Sequence, residues 1–386
     1  MTDNLKAYIA PAIFDGLRIL EEQALLVESQ LFAGIVPASD IPAGAITKKF
    51  AAGIIAPGYV DLQVNGGGGI MFNDDQSVST LSMIAAAHLR LGTTSILPTL
   101  ISDTADRVHS AIDAVEQALA EGTKGIAGLH LEGPHLSPKR KGAHAQSLIR
   151  TMSDDDLKLL TEAATRLPVL MVTISPESVS TEQMHALSSA GIILSLGHTN
   201  ATGADCAAAV ENGVSCVTHL FNAMSQLGNR EPGVVGAALS QGRLSAGLIA
   251  DTFHVHPETI GIALRAKRGP GKLFLVTDAM ATAGSAIDHF ILNGRRIERH
   301  EGRLTLEDGT LAGADLDLTT AVRNMTDVVG APIQSALAMA TSIPANIINK
   351  KQEIGHINIG QRADFILLDD QIRLARVWQN GALVSS

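Results

Sequence analysis

Gly125-Ile-Ala-Gly-Leu-His-Leu-Glu-Gly-Pro134 is the stretch whose reading decides the fold. An apolar run that reads as a buried strand ends in Glu132, and the Gly-Pro pair that follows stops the strand from continuing. A carboxylate there is expensive to desolvate unless something positive meets it, and a metal ion is one thing that can. The rest of the chain has to supply that partner.

Working outward, the same pattern recurs. The apolar runs are Tyr59–Asn65, Thr94–Leu100, Gly125–Glu132, Pro168–Glu177, Gly191–His198, Val214–Leu220, Leu244–Asp251 and Lys272–Asp278, eight in all. Between most of them lie helix-compatible windows such as Val78–Leu91, Ala105–Glu121, Ser153–Arg166, Thr181–Ala190 and Ala201–Asn212, long enough for each strand to cross over to a parallel neighbour. The sixth connection, 221–243, is Gly-rich and reads as loop more than helix. Eight βα units predict an α/β fold, a (β/α)8 TIM-type barrel, with an open doubly wound sheet as the alternative. Nearly every run ends in a polar residue, so Asn65, Glu132, Glu177, His198, His219, Asp251 and Asp278 fall near the C-terminal rim, where barrel enzymes place their sites.

Residues 1–56 hold short β-like pieces without long helices, and 352–386 return to short strands with a turn at Asn380-Gly381. These ends are expected to form one small β-sandwich around a barrel spanning 57–351. Within the barrel, 284–313 break the pattern, and Asn293-Gly294 and Asp308-Gly309 signal a β-excursion near the rim before helical windows at about 315–329 and 332–349.

Composition narrows the function classes. The 386 residues are 46% hydrophobic, only 3% aromatic and 18% charged, as in a well-packed globular protein. A net charge of -10 argues against nonspecific nucleic-acid binding, which needs a basic face. No apolar stretch reaches the length of a membrane helix, and the first twenty residues lack the order of a signal peptide. Cys206 and Cys216 read as core thiols in a reducing compartment, so a cytoplasmic location is expected.

Glu132, His198 and His219 on one rim would give two imidazoles and a carboxylate, a usual hydrolytic zinc set with a position left for water. Asp278, at the end of the eighth run, can take a proton from water and return it to a leaving amine, or it simply caps the next segment. His130 shares Glu132's strand face and is either a further ligand or a buried hydrogen bonder behind the ligands. His254 and His256 share a face at the seventh run, where one contacts substrate or His256 is surface. Lys139, Arg140 and Lys141 read as solvated surface, and Arg230 either grips phosphate or pairs with Glu231.

Pro57-Gly58-Tyr-Val-Asp61-Leu-Gln-Val-Asn65-Gly66, His130-Leu-Glu-Gly-Pro134, Gly197-His-Thr-Asn-Ala201, Thr218-His-Leu-Phe-Asn-Ala-Met224, Gly228-Asn-Arg-Glu-Pro-Gly233, Ala250-Asp-Thr-Phe-His254, Val276-Thr-Asp-Ala279 and Gly309-Thr-Leu-Ala-Gly313 occur in this order. With them the chain resembles the N-acetylglucosamine-6-phosphate deacetylases of the amidohydrolase superfamily. The resemblance implies hydrolysis of the N-acetyl group of N-acetyl-D-glucosamine 6-phosphate, with Glu132, His198 and His219 on the metal and Asp278 as base and acid. It also implies substrate contacts from Gln63, Ala143, His144, Asn222, Ala223, Arg230, His254, Leu311, Ala312 and Gly313. Arg230 would reach the neighbouring site of a homodimer.

The wider superfamily carries His-x-His on its first strand, where this chain has Gln63-Val64-Asn65. An amide is a poor zinc ligand beside imidazole, so one divalent ion per subunit is expected, zinc first, with iron, manganese or cobalt as alternatives. His135, where relatives often carry an aromatic residue, is a smaller departure. The rival readings are the N-acetylgalactosamine 6-phosphate epimer, another amide hydrolase on the same scaffold, and a catalytically silent binding module.

Overall fold

The computed structural model describes residues 5–384. Eight parallel strands form one sheet in chain order: β1 (Tyr59–Val64), β2 (Thr93–Ile101), β3 (Leu129–Glu132), β4 (Leu170–Ile174), β5 (Ile193–Leu196), β6 (Cys216–Val217), β7 (Ser245–Leu248) and β8 (Leu273–Leu275). The ring closes just beyond β8. The Asp278 amide donates to the Gln63 carbonyl at 3.1 Å, the Asn65 amide donates to the Ala279 carbonyl at 2.9 Å, and Val64 pairs in parallel with Ala279. Closure selects the barrel over the open sheet. Every residue of β1 and β2 is buried, as expected for strands covered on both faces.

The crossover helices begin on polar caps. Ser153, Ser180 and Thr202 each form a reciprocal box with the side chain three residues on, Asp156, Gln183 and Asp205. The sixth connection differs from expectation: after a loop, Gly233–Ser240 is helical, and seven of its eight residues are buried. Its Val, Ala and Leu side chains gain more by burial than its two glycines lose in propensity.

The excursion is a four-stranded antiparallel sheet, His289–Leu292, Arg295–His300, Arg303–Thr305 and Leu311–Ala314, paired in chain order. Asn293-Gly294 turns it with φ of 49° and 73°, and Glu301-Gly302, which the sequence reading did not single out, does the same with 49° and 76°. Phe290, Leu292, Ile297 and Leu304 pack with Met71, Ile101 and Met280, which fixes the last strand at the rim.

The chain divides into two compact units, one of 62–87 and 96–317, the other of the chain up to Asp61, 88–95 and the chain from Leu318. Helices Leu318–Asp327 and Ile333–Ala340 belong to the second unit, where the Thr319 hydroxyl donates to the Leu91 carbonyl and Gln334 accepts from the Ile19 amide, each at 3.4 Å. That unit also holds two sheets built from both chain ends, of four and six strands among the described residues. Ile54–Pro57 pairs antiparallel with Phe365–Leu368. Phe365 stacks on Trp378 at 4.4 Å and Tyr8 meets both rings edge-on, contacts worth about 0.5–1.5 kcal/mol each beyond their buried area. No helix among the described residues is long and apolar enough to cross a membrane.

Candidate active site

Barrel order brings three strand ends to one point. Glu132 is the last residue of β3, and His198 and His219 lie two residues beyond β5 and β6. The Nε2 atoms of His198 and His219 stand 3.0 and 2.9 Å from Glu132 Oε1 and 3.0 Å from each other. All three residues are buried. The sequence could not show that His198, His219 and Asp278 adopt left-handed backbone, with φ of 47°, 31° and 53°. For residues other than glycine this conformation is unfavourable by about 1–2 kcal/mol, and it turns each side chain out of the strand direction.

The donor set fits a divalent metal. His198 Nδ1 lies 2.7 Å from the Arg140 carbonyl, to which it can only donate, so in the neutral ring Nε2 carries a lone pair. That lone pair faces a carboxylate oxygen and a second imidazole nitrogen, three donor atoms directed at one point as a divalent cation requires. One ligand atom from each of Glu132, His198 and His219 falls within 4.8 Å of the others. Burial opposes the Glu132 charge, yet the facing imidazoles of His144, His198 and His219 hold its carboxyl well below the usual range. His219 is likewise raised by Glu132 against the effect of burial.

Asp278 stands beside this set. Asn65 Nδ2 donates to its Oδ1 at 2.7 Å, and Gln63 Nε2, 3.1 Å from the same oxygen, is also 3.1 Å from Glu132 Oε2. Burial, then the Glu132 charge, pushes the Asp278 carboxyl up to about 6. Gln63 and Asn65 thus serve as donors to carboxylates. The inside of the barrel below them is a hydroxyl layer: His130 Nδ1 donates to the Leu62 carbonyl, His130 Nε2 accepts from Thr173, and Thr173, Thr218 and Ser195 follow at 2.7 Å steps. Both ring nitrogens of His130 are engaged there, and it is a hydrogen bonder behind Glu132, His198 and His219.

A cleft of about 390 Å3 opens over the site. Ala143, His144, Asn222, Ala223, His254, Leu311 and Gly313 line it together with Glu132, His198, His219 and Asp278. Burial, then the charge of His198, lowers His144 to about 4. Its Nδ1 accepts from the Ser102 amide, so Nε2 carries the hydrogen as a neutral donor. His254 Nδ1 lies 2.6 Å from Asp251 Oδ2, and Asp251 Oδ1 accepts from the Phe253 and His254 amides. Burial resists the Asp251 charge, but these His254 contacts lower its carboxyl.

Other expected contacts lie elsewhere. Gln63 is only 2% exposed and turned to the two carboxylates, and Ala312 is buried between two lining residues. Arg230 is exposed, and Glu231, its suggested partner, instead accepts from the amides of Gly203 and Gly233. The basic run 139–141 corrects a reading. Lys139 and Arg140 line the cleft, because the Ser137 amide donates to the His198 carbonyl and folds the loop over the rim. Their closeness in sequence to His144 was the available signal.

The amidohydrolase family profile matches residues 54–384. An N-acetylgalactosamine-6-phosphate deacetylase of Shewanella sp. (strain ANA-3) is 40% identical over 87% of this chain and 84% of its own. An N-acetylglucosamine-6-phosphate deacetylase of Haemophilus influenzae is 31% identical over 97% of this chain and 98% of its own. The crystal structure of N-acetylglucosamine-6-phosphate deacetylase from Pasteurella multocida superposes with a TM-score of 0.94 at 33% identity, covering 99% of this chain and 100% of that one. A rim of Glu132, two imidazoles and Asp278 on a closed barrel, joined to these full-length similarities, places the chain in the amidohydrolase family, among its amino-sugar-6-phosphate deacetylases.

Proposed function

We propose that the chain hydrolyses the acetamide of N-acetyl-D-glucosamine 6-phosphate, giving glucosamine 6-phosphate and acetate. The observation that carries this reading is the convergence of Glu132, His198 and His219 beside an Asp278 whose two oxygens differ. Two amide donors converge on Oδ1, and Oδ2 is the oxygen left to take a proton. A divalent ion held by Glu132, His198 and His219, zinc in the first instance and iron, manganese or cobalt with the same donors, supplies Lewis acidity and makes water a nucleophile at neutral pH.

Asp278 Oδ2 accepts the proton of the attacking water and returns it to the departing nitrogen. His144, neutral and donating from Nε2, steadies the acetyl oxygen. His254, held by Asp251, faces the sugar phosphate from the cleft wall. The backbone of Ala143, Asn222, Ala223 and the Leu311–Gly313 segment shapes the walls for the ring. The assembly is proposed to be a homodimer in which Arg230 reaches the phosphate in the neighbouring site, a role its exposure supports. A cytoplasmic location is supported by two unpaired, buried thiols.

The Shewanella relative favours a second reading, the galacto epimer of the same substrate. Acetate release from both sugar phosphates, measured side by side on metal-loaded protein, tests both. Release from neither refutes the proposed reaction, and the ratio of kcat/KM values selects the epimer.

A further inference from the structure

Glu177 closes its apolar run at the rim yet takes no part in the reaction proposed above. It accepts from the Thr199 hydroxyl at 2.5 Å and from the Asn200 amide at 2.7 Å, so it grips the two residues that follow His198. Asn200 Oδ1 in turn receives a fork from Arg140, Nε at 3.0 Å and Nη2 at 2.8 Å. The carbonyl of the same Arg140 accepts from His198 Nδ1 at 2.7 Å. These contacts form a closed circuit from His198 through its own chain to Asn200, across to the Arg140 side chain, and back through the Arg140 carbonyl to the His198 ring.

We propose that Asn200, braced by Glu177, is a positioning residue: by latching the Arg140 guanidinium it holds the Arg140 carbonyl on His198 Nδ1 and aims the His198 Nε2 lone pair at the metal position. The Ser137 amide on the His198 carbonyl joins the two segments, and two features leave the ring contact itself for a latch to hold. Arg140 lies in a loop, in the short turn Pro138–Arg140, and His198 sits in left-handed backbone just past its strand, so neither partner is held by a sheet ladder at that point. The hydrogen bond that a metal-binding imidazole makes through its other nitrogen fixes tautomer and ring orientation, and losing such a partner typically lowers metal affinity about 10- to 100-fold. Asn200 and Glu177 are exposed, which places the expected effect near roughly 10-fold, at the lower end of that range.

The inference rests on the metal reading of the site and is tested by binding of zinc alone to the full chain, with no substrate present. Chelator competition gives the zinc Kd of wild type, N200A, R140A and the double variant, and thermal unfolding of each apo protein reports any loss of fold. The expected result is a rise of roughly 10-fold in Kd for N200A and R140A. The double variant should be no weaker than either single one, because both substitutions open the same circuit. Unchanged Kd values in both single variants, or losses that simply add, would overturn the latch. A fall in apo Tm that tracks the loss of zinc affinity would also overturn it, by showing a merely structural role. Wild-type protein that binds no zinc would defeat the metal reading itself, and the latch with it.

Discussion

Replacing Asp278 with asparagine separates the chemistry of this site from its architecture. In the native chain Oδ1 accepts from Asn65 Nδ2 at 2.7 Å and lies 3.1 Å from Gln63 Nε2. The new amide has two orientations. With its carbonyl oxygen in the Oδ1 position both donors stay satisfied, whereas the flipped amide would set N–H groups against N–H groups and leave buried donors unpaired, at about 1–3 kcal/mol each. The first orientation is therefore selected, and it puts an NH2 group where Oδ2 stood. The nitrogen lone pair of that group is delocalised into the amide and accepts no proton. General acid–base catalysis typically contributes about 10^2- to 10^4-fold, and here two successive transfers use one oxygen, so kcat should fall by roughly 10^3-fold or more, about 4 kcal/mol. Glu132, His198 and His219 are untouched, and bound metal should persist. The assay is acetate release at saturating metal with metal content measured on the same sample. Near-normal turnover with metal bound would refute the role of Asp278, and loss of the metal would show that Asp278 is a ligand instead.

Glu132→Gln should weaken zinc binding by more than roughly 100-fold, beyond the loss usual for outer partners of a metal site, as read by chelator competition; Oε2 faces the Gln63 donor while Oε1 faces two imidazoles, and a glutamine cannot accept on both sides. Asp278 must be ionised to accept a proton, so kcat/KM should be lost as pH falls through an acid limb at or below about 6, since bound metal adds a positive charge that pulls this carboxyl down. A pH profile of the wild type with a limb well above that value would contradict the assignment. Gly197→Ala should lower Tm in thermal unfolding: its Cβ would lie 2.7 Å from Thr173 Cγ2 and 3.0 Å from Thr218 Cβ, inside the hydroxyl layer, and overpacking of this kind costs about 1–3 kcal/mol. An unchanged Tm would mean that the layer yields more easily than its hydrogen bonds imply.

The barrel was legible because its strands are buried on both faces and so appear as apolar runs, most of them ending in a polar residue where the chain meets the rim. Glu132, His198, His219 and Asp278 stood out as candidates for that reason together with their donor chemistry and the family resemblance. What the runs do not encode is the bend at their ends. The turn of His198, His219 and Asp278 into left-handed backbone depends on neighbours distant in sequence, such as the Gln63 carbonyl that receives the Asp278 amide. The basic run 139–141 resembled a solvated surface because its local composition is identical to one; the Ser137 amide on the His198 carbonyl is what folds it over the cleft. The helix at Gly233–Ser240 was hidden by its flanking Gly and Pro, although Val234 to Leu239 are buried. The partners of the helices Leu318–Asp327 and Ile333–Ala340, Leu91 and Ile19, lie far back in the sequence and carry no local signal.

The left-handed backbone at His198, His219 and Asp278 has a consequence for how this protein can change. Glycine is the residue that would relax each of those bends most fully, and at each it would also erase the side chain on which the proposed reaction depends. Selection for a sturdier fold and selection for turnover therefore point in opposite directions at the same three codons, and drift toward stability there is drift toward an inert barrel.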